Sequence, residues 1–197
     1  MTNQEFKQPL GIVVLASGSG TLLQAILDHQ GEYRVLGVVS DVSCYALERA
    51  TAAQVPTNLV PLAVGADRAA WNDELAATVA AYEPDLVVSA GFMKILGAGF
   101  LAKFGGRIIN THPALLPAFP GAHAVRDALA YGVKVTGSTV HYVDEGVDTG
   151  EIIAQEPVVI LPQESESDLH ERIKQVERKL IVTVLESFAR GHEQKNA

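Results

Sequence analysis

The sequence predicts an α/β fold: a mostly parallel sheet with helices on both faces and an antiparallel edge in the C-terminal half. Three observations carry this expectation. Through the first half, short β-branched runs alternate with helical patterns, as in repeated βαβ units. Those runs are continuously apolar rather than alternating, as when helices cover both faces of a sheet. In the second half, two β-rich segments follow one another across a Gly/Asp loop, a spacing that suggests antiparallel or mixed strands closing one edge.

Leu10–Ala16 reads as the first strand, and Thr21–His29 as a helix entered through a Ser/Gly turn. Arg34–Ser40 is the second strand, followed by an Ala/Leu/Glu-type helix over Tyr45–Gln54. Asp67–Tyr82 predicts a longer helix, stopped by Pro84 before a strand at Asp85–Ser89. Arg107–Asn110 is a short strand ending on a polar residue. Val133–Val143 and Ile152–Ile160 flank the loop Asp144–Gly150 and form the antiparallel edge. From Ser165 to Ala189, Leu169, Ile173, Val176, Leu180, Val184 and Phe188 recur at helical spacing, with Ser165 and Asp168 set as a capping start.

The chain has 197 residues, with 48% hydrophobic and 19% charged content, which fits one globular domain spanning residues 1–197. Residues 1–9 and 190–197 read as frayed termini. Cys44 is the single cysteine, so an intrachain disulfide and a Cys-rich zinc site are excluded. A net charge of −8 argues against duplex nucleic acid and anionic membranes as partners. No run approaches the ~18 apolar residues of a spanning helix. The polar start of the chain lacks the pattern of a signal peptide. A soluble cytoplasmic protein, monomer or homodimer, is expected.

In an open parallel sheet, ligands bind beyond the carboxyl ends of the strands. The turn Ser17-Gly18-Ser19-Gly20-Thr21 lies there, where free backbone N–H groups and a helix dipole suit a phosphate. It opens like a dinucleotide fingerprint, and Asp41 stands where a ribose-binding acid would, but Leu23 replaces the third glycine. No Gly-Lys-Ser/Thr follows, which removes a P-loop. The segment Asn110-Thr111-His112-Pro113-Ala114-Leu115-Leu116-Pro117 places a histidine and an asparagine at a strand end, two residues apart on one face. Such a pair can donate to an oxygen that becomes negative during acyl transfer, although a histidine can also simply anchor a loop. Asp148 sits in Asp144-Glu145-Gly146-Val147-Asp148-Thr149-Gly150, a loop without the acid spacing of an EF-hand. His123 and His141 add no metal spacing to His112, and a serine-hydrolase elbow is absent.

Two further segments complete the pattern: Ala90-Gly91-Phe92-Met93-Lys94-Ile95-Leu96 and Arg172-Ile173-Lys174-Gln175-Val176-Glu177. Together these ordered motifs resemble the phosphoribosylglycinamide formyltransferases, the folate-dependent glycinamide ribonucleotide transformylases, from Ile12 to about Leu185. The resemblance implies a Rossmann-like sheet. It also implies transfer of a formyl group from 10-formyltetrahydrofolate, as co-substrate and with no metal, to the primary amine of glycinamide ribonucleotide in purine synthesis. It assigns catalysis to Asn110, His112 and Asp148. Ser19, Gly20 and Thr21 would take the ribonucleotide phosphate, and Glu177 the ribose. The folate would lie between Met93, Lys94, Ile95 and Leu96 on one side and Val143, Asp144, Glu145, Gly146 and Val147 on the other. For the apolar members of that slot the competing expectation is ordinary core.

Two positions depart from the family pattern. Leu22 stands where many relatives carry asparagine, and Glu151 where proline is common. A formyltetrahydrofolate hydrolase shares the Asn/His/Asp arrangement but has no use for a phosphate turn, and usually carries a regulatory domain before the first strand. A methionyl-tRNA formyltransferase would need a further C-terminal domain and a basic surface. Sugar-nucleotide formyltransferases share the catalytic triplet. A non-catalytic binding protein would have no need of it.

Overall fold

The computed structural model describes residues 8–195. Its strands are β1 (Leu10–Leu15), β2 (Tyr33–Ser40), β3 (Thr57–Leu59), β4 (Leu86–Ser89), β5 (Ile108–His112), β6 (Val135–Tyr142) and β7 (Ile152–Val159). The helices are α1 (Thr21–Asp28), α2 (Tyr45–Ala52), α3 (Arg68–Ala80), α4 (Ala98–Phe104), α5 (Ala124–Tyr131) and α6 (Glu166–Lys195). All seven strands form one sheet in the order β3-β2-β1-β4-β5-β6-β7. The first five in that order pair in parallel, and β6 and β7 join antiparallel. The Rossmann-like expectation and the antiparallel edge are both met.

Chain order reverses between β1 and β4, because β2 and β3 extend one way from β1 and β4 and β5 the other. This is the topological switch point, where the strand-end loops splay apart and leave a crevice. Alternate residues of each strand supply two apolar layers. Ile12, Val14, Val88 and Ile109 pack with α1, α2 and α6 residues such as Leu23, Ala46 and Leu185. Val13, Leu15, Val87 and Ile108 pack with Trp71, Leu75 and Phe100 of α3 and α4.

Local chemistry explains the helix ends. Asp67 accepts from the amides of Ala69 and Ala70, at 2.8 and 3.3 Å, and starts α3. Ser165 accepts from the Asp168 amide at 3.1 Å and donates to its carboxylate at 2.6 Å, the capping start expected for α6.

Three elements lie outside the sequence expectations. β3 has three residues, α4 seven, and α5 follows a proline-rich loop. The strand expected to end at Asn110 continues to His112, because β6 pairs with it through His112 opposite Thr139. The tail expected from Arg190 is helical through Lys195, as part of α6. Residues 1–7 and 196–197, also expected as frayed ends, lie outside the described residues.

The buried seam of α6 differs too. Leu169, Ile173, Ile181 and Leu185 are fully buried and Val184 is buried as expected, whereas Val176, Leu180 and Phe188 are half-buried flanks. At four-residue spacing, Glu177 occupies the seam between Ile173 and Ile181. Among the described residues, no helix is long and apolar enough to cross a membrane.

Candidate active site

Strand pairing brings the polar groups together before any loop does. Asn110 lies opposite His141 across the β5–β6 ladder, and side chains at opposed positions share a face. His112, two residues beyond Asn110, points to the same side. Thr111 points to the other side, towards α6. The loop after β6 then folds back over Asn110, His112 and His141 and delivers Asp148.

Asp148 has a positive φ of 55°, a left-handed conformation uncommon outside glycine but tolerated by aspartate. Two partners, the Gly121 amide and His112, hold it there. Its Oδ2 accepts from the Gly121 amide at 2.7 Å and lies 3.3 Å from His112 Nδ1. Its Oδ1 lies 3.6 Å from His141 Nε2. The other nitrogen of His112, Nε2, is 2.8 Å from the Phe119 carbonyl. The ring of His112 is thus bracketed by two oxygens, a carbonyl within hydrogen-bond distance of Nε2 and a carboxylate at ion-pair distance from Nδ1.

His141 is a site residue that the sequence did not bring forward. Its Nδ1 donates to the Tyr142 carbonyl at 2.8 Å, so Nε2 of the neutral ring accepts from Asn110 Nδ2 at 3.3 Å. Burial pushes its pKa below the usual imidazole range, and His112 adds to that. The Tyr142 carbonyl and Asp148 act the other way. A neutral His141 thus fixes the Asn110 amide and leaves its second N–H for another acceptor.

The segment 113–121 is tied to β6 and β7 by a buried network. Thr139 Oγ1 donates to the Ala114 carbonyl at 2.6 Å and accepts from the Leu116 amide at 3.1 Å. Gln155 Nε2 donates to the Leu116 carbonyl at 2.8 Å and to Thr139 Oγ1 at 3.0 Å. Through Phe119 and Gly121, this segment contacts both His112 and Asp148.

At the switch point, Gly20 starts α1 with φ 69°, and a Cβ there would lie 2.7 Å from Ala46 Cα, so glycine is required twice over. No side chain caps α1, and its first turn carries no acid, so its first N–H groups meet the crevice with the positive end of the helix dipole. Ser19 is exposed and Thr21 half-buried, but Leu22 is turned into the core. Arg49 of α2 braces the turn, its Nε donating to the Ser19 carbonyl at 2.8 Å and its Nη1 to Gln24 Oε1 at 3.0 Å. No sequence pattern marked Arg49.

The expected folate positions divide. Met93 and Ile95 are 75% and 66% exposed, far from the core packing that was their alternative. Lys94 is half-buried at the crevice. Leu96, in contrast, is a core residue packed beside Val13 and Trp71, so its side chain is unavailable to line a slot. Opposite, Val143 half-packs against the same core, whereas Glu145, Gly146 and Val147 are exposed. Asp144 is exposed and fixes its own loop, accepting from the Gly146 amide and the Thr149 hydroxyl at 3.0 and 2.7 Å. Glu177 is half-buried beside Thr111. Burial holds its carboxyl above the usual carboxylate range, partly offset by the Thr111 hydroxyl and by Lys174, His112 and Arg178. Among the described residues, no group of three or more His, Cys, Asp or Glu is placed to hold a metal ion.

A mixed sheet with a Ser/Gly turn opening an uncapped helix at the switch point, and an Asn/His/Asp cluster at a nearby strand end, defines a class. The chain belongs to the formyl transferase family, whose pattern matches residues 10–185. The particular members it is similar to are phosphoribosylglycinamide formyltransferases. It is 57% identical over 184 residues to that of Mycobacterium tuberculosis (strain H37Rv), covering 92% of this chain and 86% of the relative. With that of Escherichia coli (strain K12) it shares 37% identity over 187 residues, or 92% and 88% of the two chains. The crystal structure of glycinamide ribonucleotide transformylase 1 from Symbiobacterium toebii superposes with a TM-score of 0.92 at 43% identity, covering 96% of this chain and 92% of that one.

Proposed function

We infer that this chain transfers a formyl group from 10-formyltetrahydrofolate to the primary amine of glycinamide ribonucleotide. Both are small-molecule substrates, and the setting is purine synthesis. The observation that carries the reading is the Asn110–His112–Asp148 cluster standing beside an uncapped helix start at the switch point. One half suits an acyl-transfer oxyanion, and the other suits a phosphate.

In this reading the amine attacks the formyl carbon, and the formyl oxygen becomes an oxyanion. The second N–H of Asn110 donates to it. The Nε2–H of His112, held at rest by the neutral Phe119 carbonyl, turns to the stronger anionic acceptor. Asp148 stands behind Nδ1, keeps the ring charged and oriented, and assists proton movement from the amine to the departing folate nitrogen. Ser19, Gly20 and Thr21 anchor the ribonucleotide phosphate. The buried seam position of Glu177 suits a carboxyl that exchanges its few protein partners for a ribose hydroxyl. Met93, Lys94 and Ile95 meet the folate on one side, and Val143, Asp144, Glu145, Gly146 and Val147 on the other. Leu96 backs the slot from the core.

The test is deformylation of 10-formyltetrahydrofolate by purified protein, with and without glycinamide ribonucleotide. Turnover is expected only with the ribonucleotide. Equal turnover without it would make the acceptor water and refute the reading.

A further inference from the structure

Asp41 was the acid that a dinucleotide reading would have given to a ribose, and its carboxylate is committed elsewhere. It is buried, with 1% of its side chain exposed, at the end of β2. Its Oδ1 accepts from Ser17 Oγ at 2.5 Å, and its Oδ2 lies 3.5 Å from Lys94 Nζ. Ser17 Oγ in turn accepts from the Met93 amide at 2.9 Å, and the Ser17 amide donates to the Gly91 carbonyl at 3.2 Å. One carboxylate thus ties the loop after β1, which carries the phosphate turn, to the loop after β4, which carries Met93, Lys94 and Ile95. Neither loop has a helix or strand of its own at these residues. Met93 and Ile95 are largely exposed, so apolar packing does not fix them. Phe92 stacks on Trp71 and Arg68 Nη2 donates to the Ile95 carbonyl at 2.9 Å, which anchors the far side of the loop. The polar link through Ser17 and Asp41 fixes the Met93–Lys94 side that faces the crevice.

We propose that Asp41 is a positioning residue, which acts through Ser17 and Lys94 to hold the Gly91–Ile95 loop in its folate-binding conformation. The proposal rests on the reading of that loop as one wall of the folate slot. A buried carboxylate suits the task, because hydrogen bonds to a charged acceptor are short and strong and weaken sharply when the charge is removed. Its effect falls on binding of the folate rather than on bond making, since neither Asp41 nor Ser17 reaches the Asn110–His112 cluster.

The test combines kinetics with amide hydrogen exchange on the wild type, Asp41→Asn, Ser17→Ala and the double variant. Asp41→Asn is expected to raise KM for 10-formyltetrahydrofolate about tenfold, the scale of one charge-assisted hydrogen bond. KM for the ribonucleotide should stay within about threefold of wild type, below that scale. Ser17→Ala should do the same, and the double variant should be no worse than Asp41→Asn, because both residues act through one link. In the exchange experiment, the Met93 amide should lose protection in both single variants while Val87 and Val88 of β4 keep theirs. A merely structural role predicts the opposite pattern: a lower folded fraction, reduced kcat, unchanged KM and uniform loss of protection. That pattern, or additive effects of the two substitutions, overturns the proposal. The exchange readout needs no substrate. A wild type without ribonucleotide-dependent turnover would refute the functional reading, and Met93 protection would still decide whether Asp41 holds the loop.

Discussion

β1 and β6 belong to one sheet and are built from opposite materials. β1 is buried along its whole length, Leu10–Leu15, and carries no polar side chain. β6 is buried from Thr136 to His141, and four of those residues, Thr136, Ser138, Thr139 and His141, are polar. The first kind of strand makes a rigid frame that ends in a turn, and the turn offers backbone N–H groups. In the second kind, two of the four polar residues aim other groups by hydrogen bonds, Thr139 holding the 113–121 segment and His141 orienting Asn110. The Thr136 and Ser138 hydroxyls, in contrast, are buried without a hydrogen-bond partner among the described residues. The contrast separates two tasks. Binding a phosphate needs a well-fixed backbone, which apolar packing provides. Stabilising a transient charge needs side chains held in one orientation, which buried polar pairing provides.

The largest expected effect falls on the polar half. His112→Ala should lower kcat by about 10²–10³, the usual consequence of removing one oxyanion donor, while KM for both substrates changes little. Steady-state kinetics at saturating substrates checks this, and a loss confined to KM would move His112 from chemistry to binding.

Next is Thr139→Val, a change of nearly equal shape. It leaves the Leu116 amide and the Ala114 carbonyl without a buried partner and should cost about 1–3 kcal/mol in denaturant unfolding. An apolar substitution that left stability unchanged would show that the network does not hold the segment. In the apolar half, Thr21→Val should raise KM for the ribonucleotide about tenfold and leave kcat near wild type, because the phosphate anchors binding equally before and during reaction. An unchanged KM would place the phosphate elsewhere.

The same contrast decides how much of the molecule was legible in the sequence. β1, β2 and β4 announced themselves because strands covered on both faces are continuously apolar, α3 because Pro84 marks its stop, and α6 because its cap and spacing agree. The three-residue β3 is too short for periodicity, and α4 opens beside Gly97 and Gly99, which local propensity reads as a break. Asn110, His112 and Asp148 were visible as polar residues at a strand end and in a Gly-rich loop, given the family resemblance. His141 was not, because its place beside Asn110 is set by strand register, which no local pattern encodes. The proposed folate wall lost Leu96 to the core for a related reason: an apolar residue in a loop segment does not declare which way it packs. The α6 seam was read at Leu169, Ile173 and Val184 but missed Ile181 and Leu185, because it passes through Glu177, and an apolar pattern steps around a carboxylate.

That carboxylate gives the smallest expected effect. Its folded pKa lies above its ordinary value of 4.5, so the folded state binds the proton more tightly than the unfolded chain. The contribution of this group to stability is therefore fully present at low pH and is lost as pH rises from about 4.5 through the raised folded value. Glu177→Gln removes the charge and should raise Tm at neutral pH, with the gain vanishing in acid, where the carboxyl is protonated in both the folded and the unfolded chain. A gain that persisted in acid would refute the burial argument.

The most direct test of the division of labour is Asp148→Asn, which preserves shape and the acceptor for the Gly121 amide but removes the charge behind His112. The measurement is single-turnover formyl transfer with both substrates saturating, alongside the Kd for the ribonucleotide. The account predicts a transfer rate lower by about 10² or more with the Kd unchanged within about twofold. A near-normal transfer rate, or a loss carried by the Kd, would contradict it.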